Sequence, residues 1–491
     1  MDDLATPWLQ NLRALAAFGL AALALLALTN LPWQLDDYDQ AKQAFASFEI
    51  VKDGRWLYQH TSDNHVATKP PLVAWTSVAL YEVTRSWDVA WRLPSFACAI
   101  GIAIALSRTA TRAWSGAAGV IATLAFVFNL LTPRLATLVR SDMPLAYVTL
   151  LIGLRIFEKV RTQEPWNTRD RLTMFGLLTA AMLIKGPIVY AFILPGIVAF
   201  QLLRKKRAVS AWCGWWPWLA SLAIFGAWVA GGIAWMPNFY DEVVLREFAG
   251  RFGQTVHRPQ PFYFYLPHLV HKFAPWSVLM MALAVVAYRK TQQRFWDSFR
   301  SLSAETLWLI AWGIGGIILM SLIPSKRVDR IYPAIPPLCL LIAMQLVGVP
   351  AARIKRWIPA AICIAVLFTL GYAGARVFTG YHGNRAALSN FGREVRRLSQ
   401  QNGWHLEVVG KTDEGVPLYF NRPHFTAPEL AIADWNSGAI NALVVPVDRL
   451  PRFATELQNF TPPLMESLPR AELRDRPKYV LLTRQIPPTT R

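Results

Sequence analysis

The sequence predicts an α-helical polytopic membrane protein of about eleven transmembrane helices, followed by a small extracytoplasmic α/β domain at the C-terminus. Three observations predict it. Hydrophobic residues make up 54% of the 491 residues and charged residues only 16%, a ratio that a water-soluble globule of this length rarely tolerates. Apolar, nearly charge-free runs of spanning length recur as far as residue 376, and the basic residues collect in alternate connecting segments.

A helix crossing the hydrocarbon needs roughly 17–25 apolar residues. Runs of this kind lie at residues 13–31, 90–107, 113–132, 143–158, 172–185, 187–203, 211–234, 268–288, 305–323, 331–350 and 357–376. No small-residue cleavage signal follows the first run, so it reads as a retained helix. Orientation follows from Lys and Arg in short loops. The clusters are Arg108 and Arg112; Lys159, Arg161, Arg169 and Arg171; Arg204 to Arg207; Arg289, Lys290, Arg294 and Arg300; and Arg353, Lys355 and Arg356. They fall in alternate loops, which puts them in the cytoplasm and puts residues 32–89 and 235–267 outside. The run 70–84 then lies along the outer surface, because counting it as a span would break the alternation. An odd number of spans also leaves the C-terminus outside. After residue 377 hydropathy falls, and the short runs HLEVVG, VPLYF, ALVVPV and KYVLLT alternate with a helical pattern at 386–401. The domain reading is therefore 1–376 for the membrane part and 377–491 for the α/β domain.

The formal net charge of +19 belongs with basic loops and anionic lipid headgroups. No basic, aromatic-laced module appears, so the sequence does not point to a nucleic-acid partner. Cys98, Cys213, Cys339 and Cys363 lie in apolar stretches without CxxC spacing, which indicates core filling and neither a disulfide frame nor a thiolate metal site.

With positive charge expected inside, the informative residues are charges at the outer ends of spans. The first outer loop opens on Asp36-Asp37-Tyr38-Asp39 and later carries Lys69-Pro70-Pro71. Asp142, in Arg140-Ser141-Asp142-Met143-Pro144, stands at the mouth of the fourth span, where a plain helix-capping role is the alternative. The loop 235–267 carries Arg246, Glu247, Arg251, His257 and Arg258 before the aromatic run Pro261-Phe262-Tyr263-Phe264-Tyr265, a pattern expected of an amphipathic surface helix entering an interfacial belt. Ser325-Lys326-Arg327-Val328-Asp329-Arg330 concentrates three cations where basic residues should be scarce, and so reads as an anion site. Lys185-Gly186-Pro187 adds a further cation, with snorkelling to the headgroups as the plain alternative.

Carboxylates and cations gathered at one membrane face suit transfer of a sugar from a phosphate-linked lipid. Cations offset the charge growing on the phosphate as the glycosidic bond breaks, and a carboxylate takes the proton of the acceptor hydroxyl. A proton-coupled transporter would place its acids in mid-membrane. The alternative of a polyprenyl-linked sugar flippase without catalysis predicts repeat symmetry, and the sequence has no internal repeat.

These residues resemble the GT-C type membrane glycosyltransferases, in particular the group of protein O-mannosyltransferases and lipid A aminoarabinose transferases. Asp36-Asp37 matches the acidic pair near the end of the first helix, and Lys69-Pro70-Pro71 a Lys-Pro-Pro element. Ser141-Asp142-Met143-Pro144 is similar to a Leu-Asp-Met-Pro-like element, and Lys185-Gly186-Pro187 to a Lys-Gly-Pro turn. His257 through Pro267 is similar to the His-containing loop before an aromatic run, and Ser325-Lys326 with Ile331 through Pro337 to a Ser-Lys element before a Pro-rich helix. The series covers residues 36 to about 340.

The resemblance implies a multi-pass inner-membrane enzyme that takes sugar from a polyprenyl-phosphate carrier to a lipid A, glycan or protein hydroxyl on the extracytoplasmic face. It implies Asp36 as general base with Asp37 and Asp142 as further carboxylates of the site. Lys69, Arg258, Lys326 and Arg330 fall to the donor phosphate, and Tyr38, Lys185 and His257 to donor or acceptor contacts. Thr68 stands where aminoarabinose transferases have a Glu thought to share a metal with the loop His. A divalent metal at His257 is thus compatible with the sequence and not required by it, with His60 and His65 as substitute ligands. Arg330 replaces a frequent aromatic residue, which points to an acidic donor sugar or a differently held phosphate.

Overall fold

The computed structural model describes residues 12–35, 38–204, 209–251, 259–291, 302–347, 351–410, 415–469 and 478–484. The described chain divides into two compact units. The first comprises 1–29, 68–76 and 92–374, the second 30–67, 77–91 and 375–491. The chain passes from the first unit to the second between Gly374 and Ala375, and the second unit also takes in most of residues 32–89.

A helix lies at every one of the apolar segments named above. Among the described residues four helices, Trp87–Ala113, Trp216–Trp235, Ala304–Leu322 and Ile358–His382, are long and apolar enough by length and composition to cross a membrane. The chain is a predominantly helical, polytopic membrane protein. Where the helices depart from the predicted runs, local chemistry accounts for it. The run 268–288 is not one straight span: Phe262–Lys272 and Trp276–Val286 meet at 103°, and Pro275 at the junction lacks the N–H a continuous helix would need. The run 113–132 stops at Val127, because the Asn129 side-chain amide donates to the carbonyls of Ala125 and Phe126 at 3.0 and 2.7 Å and closes the helix end. The run 331–350 begins as a 3-10 segment, Val328–Ala334, and Pro336 and Pro337 fall in the first turn of the helix Ile335–Val347, where prolines are tolerated.

Packing in the first unit depends on close helix approach, as expected where lipid offers no hydrophobic drive. A Cβ on Gly196 would meet the Trp312 Cα at 2.7 Å, and one on Gly315 would meet the Gly196 nitrogen at 2.9 Å. The helices Ile188–Leu203 and Ala304–Leu322 therefore touch backbone to backbone. The buried Trp308 indole donates to the Gly153 carbonyl at 3.1 Å, which ties in the helix Asp142–Thr162.

The second unit contains a four-stranded sheet in the order β1-β2-β4-β3, with β1 Leu406–Val408, β2 Ala442–Pro446, β3 Met465–Glu466 and β4 Tyr479–Thr483. β1 runs parallel to β2, and the other pairs are antiparallel. Both faces are covered, as the side-chain period of two requires. Ala442, Val444, Tyr479 and Leu481 pack with Leu388, Phe391 and Val395 of the helix Ala387–Asn402. Leu443, Val445, Val480 and Leu482 pack with Trp435 and Phe453 on the other side. One predicted strand is corrected: VPLYF forms a short helix, Val416–Tyr419, with Pro417 in its first turn. Pro417 has the fixed φ of a helix start and no N–H for a strand ladder. The first-loop segment joins this unit through main-chain bonds, Gly415 N to Leu35 O at 3.0 Å and Phe425 N to Ser62 O at 3.0 Å.

Candidate functional site

The segment between the helices Gly116–Val127 and Asp142–Thr162 carries only the single-turn helix Thr132–Leu135, and its polar groups find their partners within the protein. The Asn129 carbonyl oxygen accepts from the amides of Leu131 and Thr132, each at 2.9 Å. The Phe128 carbonyl accepts from the Trp276 indole at 2.7 Å. The Ser95 hydroxyl donates to the carbonyls of Leu138 and Arg140 at 2.7 and 3.2 Å. The Thr132 and Tyr332 hydroxyls meet at 2.8 Å.

This pinned segment presents charge. The buried Arg140 donates to Asp329 Oδ2 at 2.8 Å, and the Arg134 guanidinium lies 3.8 Å from Asp329 Oδ1. One acid thus faces two cations. Two residues further on, Asp142 forms an ion pair with Lys185 at 2.5 Å, so Lys185 is not a snorkelling cation. Nor does Asp142 cap its helix: it is the first helical residue, and Ser141 holds the cap position.

The loop after the helix Ala304–Leu322 adds two more buried cations. Lys326 donates to the Gln260 carbonyl at 2.9 Å while Gln260 N donates to Pro324 O at 3.1 Å. Burial lowers the Lys326 pKa from the ordinary lysine range. Arg330 donates through one nitrogen to the Ser325 carbonyl and hydroxyl at 2.7 and 3.1 Å. The loop 235–251 includes a π-helical stretch, Tyr240–Phe248, from which Glu247 pairs with Lys69. In the aromatic run Phe262 and Tyr263 are exposed, as an interfacial belt requires, but Tyr265 is fully buried against Phe192, Met320 and Ile331.

Of the residues singled out in the sequence, Asp36, Asp37, His257 and Arg258 lie outside the described residues, as does the Tyr38 side chain. Gln260, two residues beyond Arg258, is the partner of Lys326. Arg134, Arg140, Glu247 and Asp329 are not among the site residues that the sequence suggests. Arg140 and Asp329 stand inside motifs quoted above, but their pairing across 189 positions leaves no mark in either motif alone.

No family model matches the chain. The undecaprenyl phosphate-alpha-4-amino-4-deoxy-L-arabinose arabinosyl transferase of Aeromonas salmonicida is 24% identical over 357 residues, covering 70% of this chain and 63% of that protein. A second transferase of that name, from Proteus mirabilis, is 22% identical over 410 residues, 79% of this chain and 72% of its own length. The chain thus spans 63% of the length of the first of these relatives. Among solved structures, ArnT from Cupriavidus metallidurans bound to undecaprenyl phosphate superposes with a TM-score of 0.73 over 95% of this chain and 97% of its own, at 17% identity. The chain therefore shares the fold of that ArnT.

Proposed function

We propose that the protein is a glycosyltransferase that moves a sugar from a polyprenyl-phosphate donor to a hydroxyl of lipid A, a glycan or a protein. The observation that carries the reading is the set of buried cations, Arg140, Lys326 and Arg330, held on pinned loops of the first unit together with Asp329. Charges buried at this cost suit a multiply charged oxyanion better than they suit stability. Two relatives named for an undecaprenyl phosphate-linked donor and the fold of a protein solved with undecaprenyl phosphate support the same substrate class.

In this mechanism the acceptor oxygen attacks the anomeric carbon and the bond from that carbon to the phosphate oxygen breaks. The polyprenyl phosphate leaves with the electron pair, while Asp36 takes the acceptor proton. Lys69, Lys326, Arg258 and Arg330 hold the donor phosphate and offset its growing charge. Asp142, already paired with Lys185, serves as a positioning carboxylate.

Lys69 is held by Glu247, so donor phosphate must compete with that carboxylate for it. Lys69→Ala and Lys326→Ala are each expected to weaken donor binding by roughly tenfold or more, the size of one hydrogen bond to a charged group. Glu247→Gln is expected to tighten it. Binding of a fluorescent polyprenyl phosphate to the purified variants measures this, and equal affinity in all three would remove these loops from the donor site.

The apolar helices are proposed to make eleven crossings of the inner membrane, with loops 159–171 and 204–210 cytoplasmic. Loops 32–89 and 235–267 and the α/β domain after 377 would lie on the extracytoplasmic side. A cysteine at Gln401 should then react with an impermeant maleimide in intact spheroplasts and one at Lys205 should not. The reverse pattern would invert the topology and the site with it. Mass spectrometry of lipid A, surface glycans and exported proteins from cells with and without the gene tests the activity. One class should lose a sugar-sized mass increment, and identical spectra in all three would count against glycosyl transfer.

A further inference from the structure

We propose that Glu49, Asp53 and His424 of the second unit form a divalent transition-metal site that joins the first-loop helix to the C-terminal segment. The site owes nothing to the donor-binding residues and does not depend on the glycosyltransferase reading.

Glu49 and Asp53 stand four residues apart on the helix Tyr38–Asp53 and so share one face. His424 arrives from a loop some 370 positions later and is aligned by the neighbouring Phe425 N to Ser62 O bond at 3.0 Å. One ligand atom from each of the three residues lies within 4.8 Å of the other two.

The hydrogen bonds around this group fix what each atom offers. His424 Nδ1 is 3.3 Å from the Thr61 carbonyl oxygen, which can only accept, so Nδ1 carries a proton. Metal-bound histidines typically donate their other ring N–H to a carbonyl or carboxylate in this way, which leaves the remaining nitrogen's lone pair to the metal. His424 Nε2 faces Glu49 Oε1 at 3.8 Å and Asp53 Oδ2 at 3.9 Å.

Both distances are too long for a hydrogen bond to a protonated Nε2, which would close to about 3 Å. They are close to what two ligands of one ion require. Atoms about 2.1 Å from a tetrahedral zinc lie about 3.4 Å apart, so each His424 contact needs to close by about half an ångström, within a group of atoms that all lie within 4.8 Å of one another. The Glu49 carboxylate is buried and fixed in place: Oε2 accepts from the His60 amide at 2.5 Å, while Oε1, the oxygen nearest His424, also lies 2.9 Å from His60 Nδ1 and 3.2 Å from Arg55 Nη1. Two carboxylates against one arginine leave a local charge of −1, which a divalent ion reverses and a water molecule does not. One nitrogen and two oxygen ligands, with solvent completing the shell at the exposed Asp53, suit Zn²⁺ or Mn²⁺ better than Ca²⁺, which takes oxygen ligands.

The test uses purified full-length protein stripped with chelator and titrated with ZnCl2, reading bound metal by mass spectrometry after dialysis and the unfolding temperature in detergent. Wild-type protein is expected to take up one zinc that His424→Gln and Asp53→Asn each weaken at least about tenfold, the scale of even a lost outer-shell partner. Zinc should also raise the unfolding temperature of the wild type and leave that of His424→Gln unmoved. Both side chains are partly accessible, so these variants avoid the folding risk of replacing the buried Glu49. Equal zinc affinity in all three proteins, or no uptake by the wild type, overturns the proposal. So does a wild-type His424 that NMR shows doubly protonated at neutral pH in the presence of zinc, because the triad would then be an ordinary ion pair.

Discussion

Asp36→Asn is expected to give folded, membrane-inserted protein that binds donor lipid and transfers sugar roughly 10²–10⁴-fold more slowly, the usual contribution of a positioned general base. Asn keeps the shape and removes the base. Asp142, the candidate acid in the first unit, is already engaged, since it lies 2.5 Å from the Lys185 ammonium, and an ion-paired carboxylate is the weaker proton acceptor. An acid present only for solubility would change stability by no more than about ±0.5 kcal/mol and leave turnover intact. Asp39→Asn should behave in that milder way. Single-turnover rates with saturating donor separate the outcomes, and near-normal transfer by Asp36→Asn would move the base to Asp37 or Asp142.

The second large effect is expected at Asp329. It answers Arg140 at 2.8 Å and lies 3.8 Å from Arg134, and both Arg140 and Asp329 are buried. Removing one partner of a buried pair leaves an uncompensated charge, which typically costs about 3–5 kcal/mol, whereas replacing both partners with apolar residues of similar size is often neutral. Asp329→Ala should therefore destabilise the protein by about that amount. Arg140→Met with Asp329→Leu should recover most of the stability without recovering donor binding. Thermal unfolding and donor binding measured on the same samples read the two effects apart. A single variant as stable as the wild type would mean that Arg140 and Arg134 are neutralised from elsewhere.

Features set by local pattern could be read from the sequence. Apolar runs predicted where helices lie, and β1, β2 and β4 follow HLEVVG, ALVVPV and KYVLLT. Errors occurred where one residue overrides an average. The run 268–288 reads as one span, yet Pro275 breaks the helix and the two arms meet at 103°. VPLYF has a strand's composition, but Pro417 starts a helix.

The charged groups were legible one at a time and not as pairs. Lys69, Asp142, Lys185 and Lys326 were each singled out, but their partners depend on helix packing. Glu247 meets Lys69 across 178 positions, and Asp142 meets Lys185 across 43. For Glu49 and Asp53 the spacing of four on a helix was available as a signal. His424 was not, because only the fold of the second unit brings its loop to that helix.

The most direct test of the central claim is transfer by the purified wild-type protein in liposomes. The membranes would contain undecaprenyl phosphate linked to a radiolabelled sugar, with lipid A, an undecaprenyl-linked glycan or a membrane protein offered in turn as acceptor. Label is expected on one of these acceptors, with release of undecaprenyl phosphate in equal amount and loss of both in Asp36→Asn. Movement of the labelled lipid between leaflets with no label on any acceptor would contradict it and favour a flippase.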